Sequence, residues 1–182
     1  MPVPATEPAS QRNTEVNAPR FARLVTGIAV IGAGQAGLSS AYHLKQAGLE
    51  PVEDYLVLDS APRPGGAWQH RWPSLTLSTV NRIHDLPGMP FEPESRNGTA
   101  EVEARVAVPE YFARYEEAFE LPVLRPVSVG GVRERDDGRF VISSDRGEIV
   151  ARGLINATGT WETPRIPEYP GQERFRGRQL HT

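Results

Sequence analysis

The alternation of apolar and polar positions divides the first sixty residues into a strand, a helix and a second strand. Residues 24–31 form an apolar run rich in β-branched side chains, which is typical of a buried strand. Over residues 35–47 the apolar positions recur at helical spacing, and Gly48 follows as a helix-ending residue. A second apolar run over residues 54–58 is followed by Asp59. This β–α–β order predicts an α/β fold with a parallel sheet and a right-handed crossover.

A second helix and an irregular region are predicted in the middle of the chain. Residues 109–120 carry an aromatic stripe at helical spacing, with Pro109 at the start of the helix. Residues 72–104 show little periodicity, and an irregular stretch of this length is commonly functional or mobile. Four more strands are predicted over residues 123–133, 139–144, 148–151 and 153–159. The first three of these are joined by turn sequences, which indicates a three-stranded antiparallel meander.

The turn between the first strand and the first helix has the pattern G-x-G-x-x-G, formed by Gly32, Ala33, Gly34, Gln35, Ala36 and Gly37. In such a turn Gly32 permits the tight bend, Gly34 lets the backbone approach a pyrophosphate, and Gly37 lets the helix pack close to the strand. The free N–H groups at the start of the helix and the positive end of its dipole then face the phosphates. A nucleotide cofactor is therefore the first functional hypothesis.

An acidic residue follows the second strand at the spacing that a dinucleotide fold requires. Asp59 lies 22 residues after Gly37, where a carboxylate can accept hydrogen bonds from an adenosine ribose. A solvated side chain at a strand end is the alternative interpretation. Because the glycine motif is in register with Asp59, we favour the ribose-binding role.

Composition narrows the classes of function further. The chain has 182 residues, a net charge of −3 and no basic cluster, so binding to nucleic acid is not expected. It has no cysteine, which excludes disulfides, cysteine-ligated zinc and a thiol nucleophile, and no metal site is predicted. No apolar run is long enough to span a bilayer. Residues 1–23 have the composition of a disordered leader rather than a secretory signal, so a cytoplasmic protein without membrane contact is expected.

Four separated motifs, in their order along the chain, resemble one class of flavoprotein. The β–α–β unit, the meander and the strand ending in Ala157-Thr158-Gly159 are similar to the FAD-binding domain of two-dinucleotide-domain flavoproteins. The disulfide reductases of that class carry a redox-active cysteine pair just after a similar Gly-Gly, whereas this chain continues Gly65-Gly66-Ala67-Trp68. Gly-Gly-x-Trp, and the F-x-G-x-x-x-H of residues 175–181, instead resemble the flavin-containing monooxygenases and their Baeyer–Villiger relatives.

The resemblance implies FAD as the cofactor, held by the glycine turn and by Asp59. It also implies that Gly66, Ala67 and Trp68 lie beside the cofactor and that Val127 contacts the adenine, although a core valine explains Val127 equally well. No acid–base pair or nucleophile stands out, so no catalytic residue is assigned. In the resembled family the cofactor carries the reaction: NADPH reduces FAD, O2 is captured as a flavin peroxide, and oxygen passes to a soft nucleophile or a ketone.

Members of the resembled family carry a second glycine motif for NADPH, and this sequence contains no second G-x-G-x-x-G. The FAD-binding domain is therefore predicted to be incomplete over residues 24–171, with residues 172–182 starting a linker to an absent NADPH domain. The uncovered flank should leave an apolar patch and an unpaired strand edge. We expect the chain alone to bind FAD poorly, or only with a second chain that supplies the missing domain.

Two other functions stay open at this point. The chain could be a non-enzymatic module or remnant that binds FAD or another nucleotide and docks onto a partner chain. It could also be another FAD-dependent oxidoreductase of the same superfamily, such as an amine-oxidase-like protein, with which Arg63-x-Gly65-Gly66 is compatible. The motif at residues 175–181 favours the monooxygenase interpretation.

Overall fold

A computed structural model describes residues 20–92, 102–163, 165 and 167–179. In chain order, the elements are β1 (Arg23–Ile31), α1 (Gln35–Gln46), β2 (Tyr55–Leu58), a 3₁₀ helix (Gly66–His70), α2 (Ala104–Ala118), β3 (Val123–Leu124), β4 (Val129–Glu134), β5 (Phe140–Ser144), β6 (Gly147–Asn156) and a second 3₁₀ helix (Gln172–Arg174). Within the described ranges no helix has both the length and the apolar character needed to cross a membrane. Most of the predicted leader, residues 1–19, lies outside the described residues.

One six-stranded sheet forms the framework, with the strand order β3-β2-β1-β6-β5-β4. β1 pairs in parallel with β2 and β6, and β2 pairs in parallel with β3. β5 pairs antiparallel with both β4 and β6. The predicted α/β fold with a parallel sheet and a three-stranded meander is therefore confirmed. The bounds of β1, α1 and β2 each differ from the prediction by one residue.

The end of the meander corrects one sequence prediction. The strands expected over residues 148–151 and 153–159 are a single strand, β6, which runs through Gly153 and ends at Asn156. β6 pairs with β5 over its first half and with β1 along almost all of its length. Gly153 does not interrupt the strand, because it stays in register opposite Ile28 in the β1–β6 ladder. Pairing with β1 therefore outweighs the weak local propensity of this glycine.

The start of the meander corrects a second prediction. The single strand expected over residues 123–133 is divided into β3, which pairs with β2, and β4, which pairs with β5 at the opposite edge of the sheet. Pro126 lies between them and has no N–H to donate to a ladder, so a continuous strand cannot pass through it.

The second helix begins earlier than predicted. α2 starts at Ala104 rather than at Pro109, which lies inside the helix. The N–H of Ala104 donates to the carbonyl of Leu75, and the N–H of Ala107 donates to the carbonyl of Glu103, so the first turn is stabilised before the proline. Ala104 and Ala107 are buried in this turn, and the stability gained by burying them outweighs the preference of proline for the first helical position.

Apolar side chains from alternate positions of β1 and β2 form two clusters. Val30 and Val57 pack in the cluster that includes residues of α1 and α2. Ile31 and Leu58 pack in a second cluster with residues of β5 and β6. Successive strand residues point to opposite faces of the sheet, so the two clusters cover both faces of the central strands. Positions on both faces of these strands are then buried, which explains why their sequences are continuous apolar runs.

Two tyrosines of α2 hold part of the region that the sequence predicts to be irregular. The N–H of Leu86 donates to Tyr111 Oη at 2.7 Å, and the Tyr111 hydroxyl donates to the Met89 carbonyl at 2.6 Å. The Tyr115 hydroxyl donates to the Pro87 carbonyl at 2.7 Å. Leu86 itself is 2% exposed. This part of the irregular region is therefore packed against the core; residues 93–101 lie outside the described residues.

The buried tyrosines predict a loss of stability at alkaline pH. Burial raises the pKa of Tyr111 and of Tyr115 above the ordinary tyrosine value. The folded chain then binds these two protons more tightly than the unfolded chain does. The contribution of the protonated tyrosines to the free energy of unfolding is therefore complete below about pH 10, and it is lost as the pH rises through the raised pKa. We expect the free energy of unfolding, measured in urea, to fall above about pH 10 and to fall less steeply in the Y111F/Y115F variant. Equal slopes in the two proteins would contradict this prediction.

The second half of β6 is paired on one side only. β1 pairs with β6 as far as Asn156, whereas the β5 ladder ends at Ala151. Among the described residues no strand pairs with the other side of residues 153–156, where Leu154 and Ile155 are half-buried. The unpaired strand edge that the sequence analysis predicts is thus present in the described part of the chain.

Candidate functional site

A cavity of about 500 Å³ lies at the carboxyl ends of the parallel strands, where Ile31 ends β1, Leu58 ends β2 and Asn156 ends β6. In the sheet β1 lies between β2, the next strand along the chain, and β6, a strand from the end of the sheet-forming sequence. The strand order therefore changes direction at β1, and open α/β sheets bind ligands at such a switch point. The cavity brings together every predicted cofactor-binding residue except Gly37: Gly32, Ala33, Gly34, Gln35, Ala36, Asp59, Gly66, Ala67, Trp68 and Val127.

The three glycines of the turn have different surroundings. Gly32 has φ +102°, and a Cβ on it would collide with the carbonyl of Ala157. Gly34 has no heavy atom within 4 Å of a Cβ position, so its open side belongs to the cavity. Gly37 is buried behind the turn, where a Cβ would collide with the Gly32 carbonyl oxygen. Gly37 was predicted as a cofactor-binding residue, but it does not line the cavity and instead permits close packing of α1.

The N-terminus of α1 faces the cavity without a side-chain cap. Gly34 is the N-cap residue, it makes no side-chain capping bond, and the first turn contains no acidic residue. The first N–H groups of a helix have no partner inside the helix, and the dipole adds partial positive charge there. Gln35 and Ala36 line the cavity at this point. The arrangement favours an anionic ligand.

Asp59 is a buried and oriented acceptor rather than a solvated strand end. It is 7% exposed, and its Oδ2 accepts from the Ala33 N–H at 2.7 Å while its Oδ1 accepts from the Ala61 N–H at 2.8 Å. Its backbone N–H donates to the Leu124 carbonyl at 3.1 Å, and its carbonyl accepts from the Val127 N–H at 2.8 Å. Each carboxylate oxygen keeps capacity for a further hydrogen bond, so hydroxyl groups of a ligand in the cavity have an acceptor.

A second glycine pair forms the wall opposite the glycine turn. Gly65 has φ +128° and Gly66 has φ +50°, both in the left-handed half of conformational space that favours glycine. A Cβ on Gly66 would lie 3.2 Å from the Cα of Gly34, so the two loops approach closely. The 3₁₀ helix that follows brings Ala67 and Trp68 to the cavity, and Trp68 is half-buried against the core of α1 and α2.

The loop after β6 contributes lining residues that the sequence analysis does not assign to the site. The ring of Trp161 stacks on that of His70 with centroids 5.4 Å apart. The hydroxyl of Ser60 donates to Glu162 Oε1 at 3.1 Å, which links this loop to the end of β2. The guanidinium of Arg71 lies 5.4 Å from the Trp161 ring centroid. The Ala-Thr-Gly motif marks this loop in the sequence, but nothing local indicates which of its side chains face the cavity.

The chemistry that these residues offer is binding rather than reaction. No cluster of histidine and acidic residues suited to a metal ion occurs among the described residues. The lining combines glycine backbone, apolar side chains, several hydroxyl and amide side chains, His70, Glu162 and the fixed acceptor Asp59, and none of the described lining residues is a lysine or an arginine. A ligand with a diphosphate and a ribose matches this set of groups, because backbone N–H groups take the anion and the carboxylate takes hydroxyls.

The fold is that of the dinucleotide-binding α/β proteins. The model of the pyridine nucleotide-disulphide oxidoreductase family matches residues 29–181, and the chain belongs to that family. Because the chain has no cysteine, the thiol chemistry in the family's description has no counterpart in these 182 residues.

Several of the individual comparisons are with monooxygenases. The chain is similar to a doubly substituted flavin monooxygenase from Stenotrophomonas maltophilia, with 41% identity and a TM-score of 0.70 over 87% of this chain and 46% of that one. It is 33% identical to indole-3-pyruvate monooxygenase YUCCA1 from Oryza sativa, over 87% of this chain and 38% of the relative. It is 27% identical to a Baeyer–Villiger monooxygenase from Streptomyces coelicolor, over 85% and 29%. These comparisons confirm the predicted resemblance, and the chain spans less than half the length of each relative.

Proposed function

We propose that this chain provides the FAD-holding half of an NADPH-dependent flavin monooxygenase. The observation that carries the proposal is the convergence of an uncapped helix N-terminus, an open glycine and a buried carboxylate on one cavity. In this proposal the pyrophosphate lies against Gly34 and the N-terminus of α1, and the ribose hydroxyls donate to Asp59. Val127 lies at the adenine, and Gly66, Ala67 and Trp68 lie beside the rest of the cofactor.

Bound FAD would accept a hydride from NADPH and activate O2 for transfer to a soft nucleophile or a ketone. The described cavity residues contain no acid–base pair at hydrogen-bond distance, so their part is to bind the cofactor, orient it and exclude water. We assign NADPH and the small-molecule substrate to a second dinucleotide domain, on a longer form of this chain or on a partner. The open edge of β6 beside the cavity supports this assignment, because a strand supplied from elsewhere would complete the sheet there.

Binding of ADP tests the proposed site, because every group assigned to the ADP part lies in this chain. We expect saturating ADP, at about 100 times its dissociation constant, to raise the melting temperature by about 5–10 °C, through preferential binding to the folded state. Calorimetric titration measures the affinity directly. The Asp59→Ala variant should bind ADP at least about tenfold more weakly, since a hydrogen-bonded charged acceptor is lost. Absence of ADP binding by the folded chain would refute the site.

Retention of flavin tests the need for a further segment. We expect the isolated chain to bind ADP yet to release FAD during gel filtration, because the second half of β6, which ends at the cavity, is paired on one side only among the described residues. A yellow monomer that retains stoichiometric flavin would show that the chain suffices as an FAD-binding domain, and that part of the proposal would fail.

A non-enzymatic nucleotide-binding module is the second candidate function, and the lack of an acid–base pair in the described cavity favours it. The two candidates differ in the response to NADPH. If the protein is half of a monooxygenase, anaerobic NADPH should bleach the flavin absorbance of the longer form, or of this chain mixed with a protein that supplies the second domain. If it is a binding module, the flavin should stay oxidised in every such mixture.

A further inference from the structure

A buried ion pair connects α2 to the segment between β3 and β4. Arg125 Nη2 donates to Glu116 Oε1 at 2.9 Å, and Arg125 Nη1 donates to Glu116 Oε2. Both side chains are only 12% exposed, which makes this the least exposed of the ion pairs in the described part of the chain. The two parallel bonds fix both the distance and the plane of the guanidinium.

The segment that carries Arg125 contacts Asp59 on both sides of the arginine. The residue before it, Leu124, accepts the Asp59 backbone N–H at 3.1 Å. Two residues after it, the Val127 N–H donates to the Asp59 carbonyl at 2.8 Å. The backbone of Asp59 is thus held by the two flanks of the residue that Glu116 fixes. A shift of this segment would move the carboxylate that faces the cavity.

The ion pair is poorly suited to a purely stabilising role. Taking two charges out of water costs about as much as their attraction returns, so buried pairs are a weak source of stability. Arg125 Nε is buried without a hydrogen-bond partner among the described residues, which adds a further cost. The two hydrogen bonds of the pair fix the position of Arg125 relative to α2, and so form a rigid link from α2 to the segment that holds Asp59.

We propose that Arg125, fixed by Glu116, is a positioning residue that sets the Asp59 carboxylate for recognition of a ribose. Neither side chain lines the cavity, so the effect passes through the Leu124 and Val127 backbone. The inference rests on the proposed function, since it assigns the ribose to Asp59. It predicts that the pair controls discrimination between ribose and deoxyribose, and not merely the overall affinity for a nucleotide.

The test compares the affinities for ADP and 2′-deoxy-ADP by calorimetric titration of the full chain. Wild type should prefer ADP about tenfold, because a hydroxyl–carboxylate bond is lost with the deoxy ligand. In R125M this preference should fall to about twofold or less, and R125K, which keeps the charge, should recover part of it. R135M is the matched control: it removes an arginine that pairs with Asp137 in the β4–β5 turn, and it should keep the wild-type preference.

The outcomes separate this inference from the proposed function. If R125M binds both ligands more weakly by the same factor, or binds both as wild type does, the positioning role is wrong. If wild type and D59A both fail to discriminate between the ligands, the ribose site itself is wrong. Should R125M not fold, the E116M/R125M variant replaces the whole pair with apolar groups that a buried site tolerates. The same loss of preference is expected there, and a retained tenfold preference would overturn the inference.

Discussion

Replacing Gly34 by valine is expected to weaken ADP binding at least about 100-fold while the free energy of unfolding changes by about 1 kcal/mol or less. Gly34 has φ −81° and ψ −171°, which is extended backbone that any residue adopts. A Cβ on Gly34 meets no heavy atom within 4 Å, so the side chain begins in open space. Valine is a poorer N-cap residue than glycine, which accounts for the small loss of stability that we expect. The larger cost falls on a ligand, because the isopropyl group would occupy the space in which a diphosphate approaches the N-terminus of α1.

The expected loss is large because the N-terminus of α1 is the main positive group that the described cavity offers to a diphosphate. None of the described lining residues is a lysine or an arginine, so no permanently charged side chain takes the place of these N–H groups. Calorimetric titration with ADP and thermal unfolding together measure the effect. Gly131→Val is the matched control, since Gly131 also has open space beside its Cα but lies in edge strand β4, away from the cavity. ADP affinity within threefold of wild type in the Gly34 variant would contradict the phosphate assignment.

The sequence predicts the part of the site that depends on contiguous residues. The strand, the glycine turn and the helix follow one another within residues 24–47, so their spacing alone brings Gly32, Gly34 and the helix N-terminus to one point. Asp59 directly follows the neighbouring parallel strand, and the carboxyl ends of parallel strands meet at one edge of the sheet. These positions needed no knowledge of distant contacts.

The rest of the site depends on contacts between segments far apart in the chain. Ser60 and Glu162 are 102 positions apart and meet only because β2 and β6 flank β1. His70 and Trp161 stack for the same reason, since the loop after β6 folds back over the 3₁₀ helix. Trp68 and Val127 were predicted only from the resemblance to flavin-containing monooxygenases. No local pattern distinguishes such residues from ordinary surface or core positions.

Two of the errors in element bounds have a common cause. Pro109 is interpreted as the start of a helix, and residues 148–151 and 153–159 as two strands, and both interpretations use the local sequence pattern alone. In the fold, the buried face of the turn before Pro109 extends α2, and pairing with β1 carries β6 through Gly153. Tertiary contacts outweigh a single residue's preference in each case. The predicted bounds lie within one residue of those observed where propensity and packing agree, as in β1, α1 and β2.

Replacing Gly37 by valine is expected to lower the free energy of unfolding by about 3 kcal/mol or more, which is the reverse of the Gly34 result although the substitution is the same. A Cβ on Gly37 would collide with the Gly32 carbonyl oxygen and lie 2.9 Å from its carbon. Backbone cannot yield as a flexible side chain can, so α1 would have to move away from the turn. Leu38 and Ala41, which are fully buried on the same helix, would then lose their packing against the sheet.

Thermal unfolding of the two valine variants measures this contrast without any ligand. For a chain of this size a loss of about 3 kcal/mol lowers the melting temperature by about 6–12 °C, whereas the Gly34 variant should melt within about 4 °C of wild type. ADP binding by the Gly37 variant, measured on whatever fraction stays folded at low temperature, should fall much less than in the Gly34 variant, because Gly37 does not line the cavity. A Gly37 variant that melts as wild type does but has lost ADP binding would reverse the roles assigned to these two glycines, and Gly37 would then belong with the ligand-contacting residues.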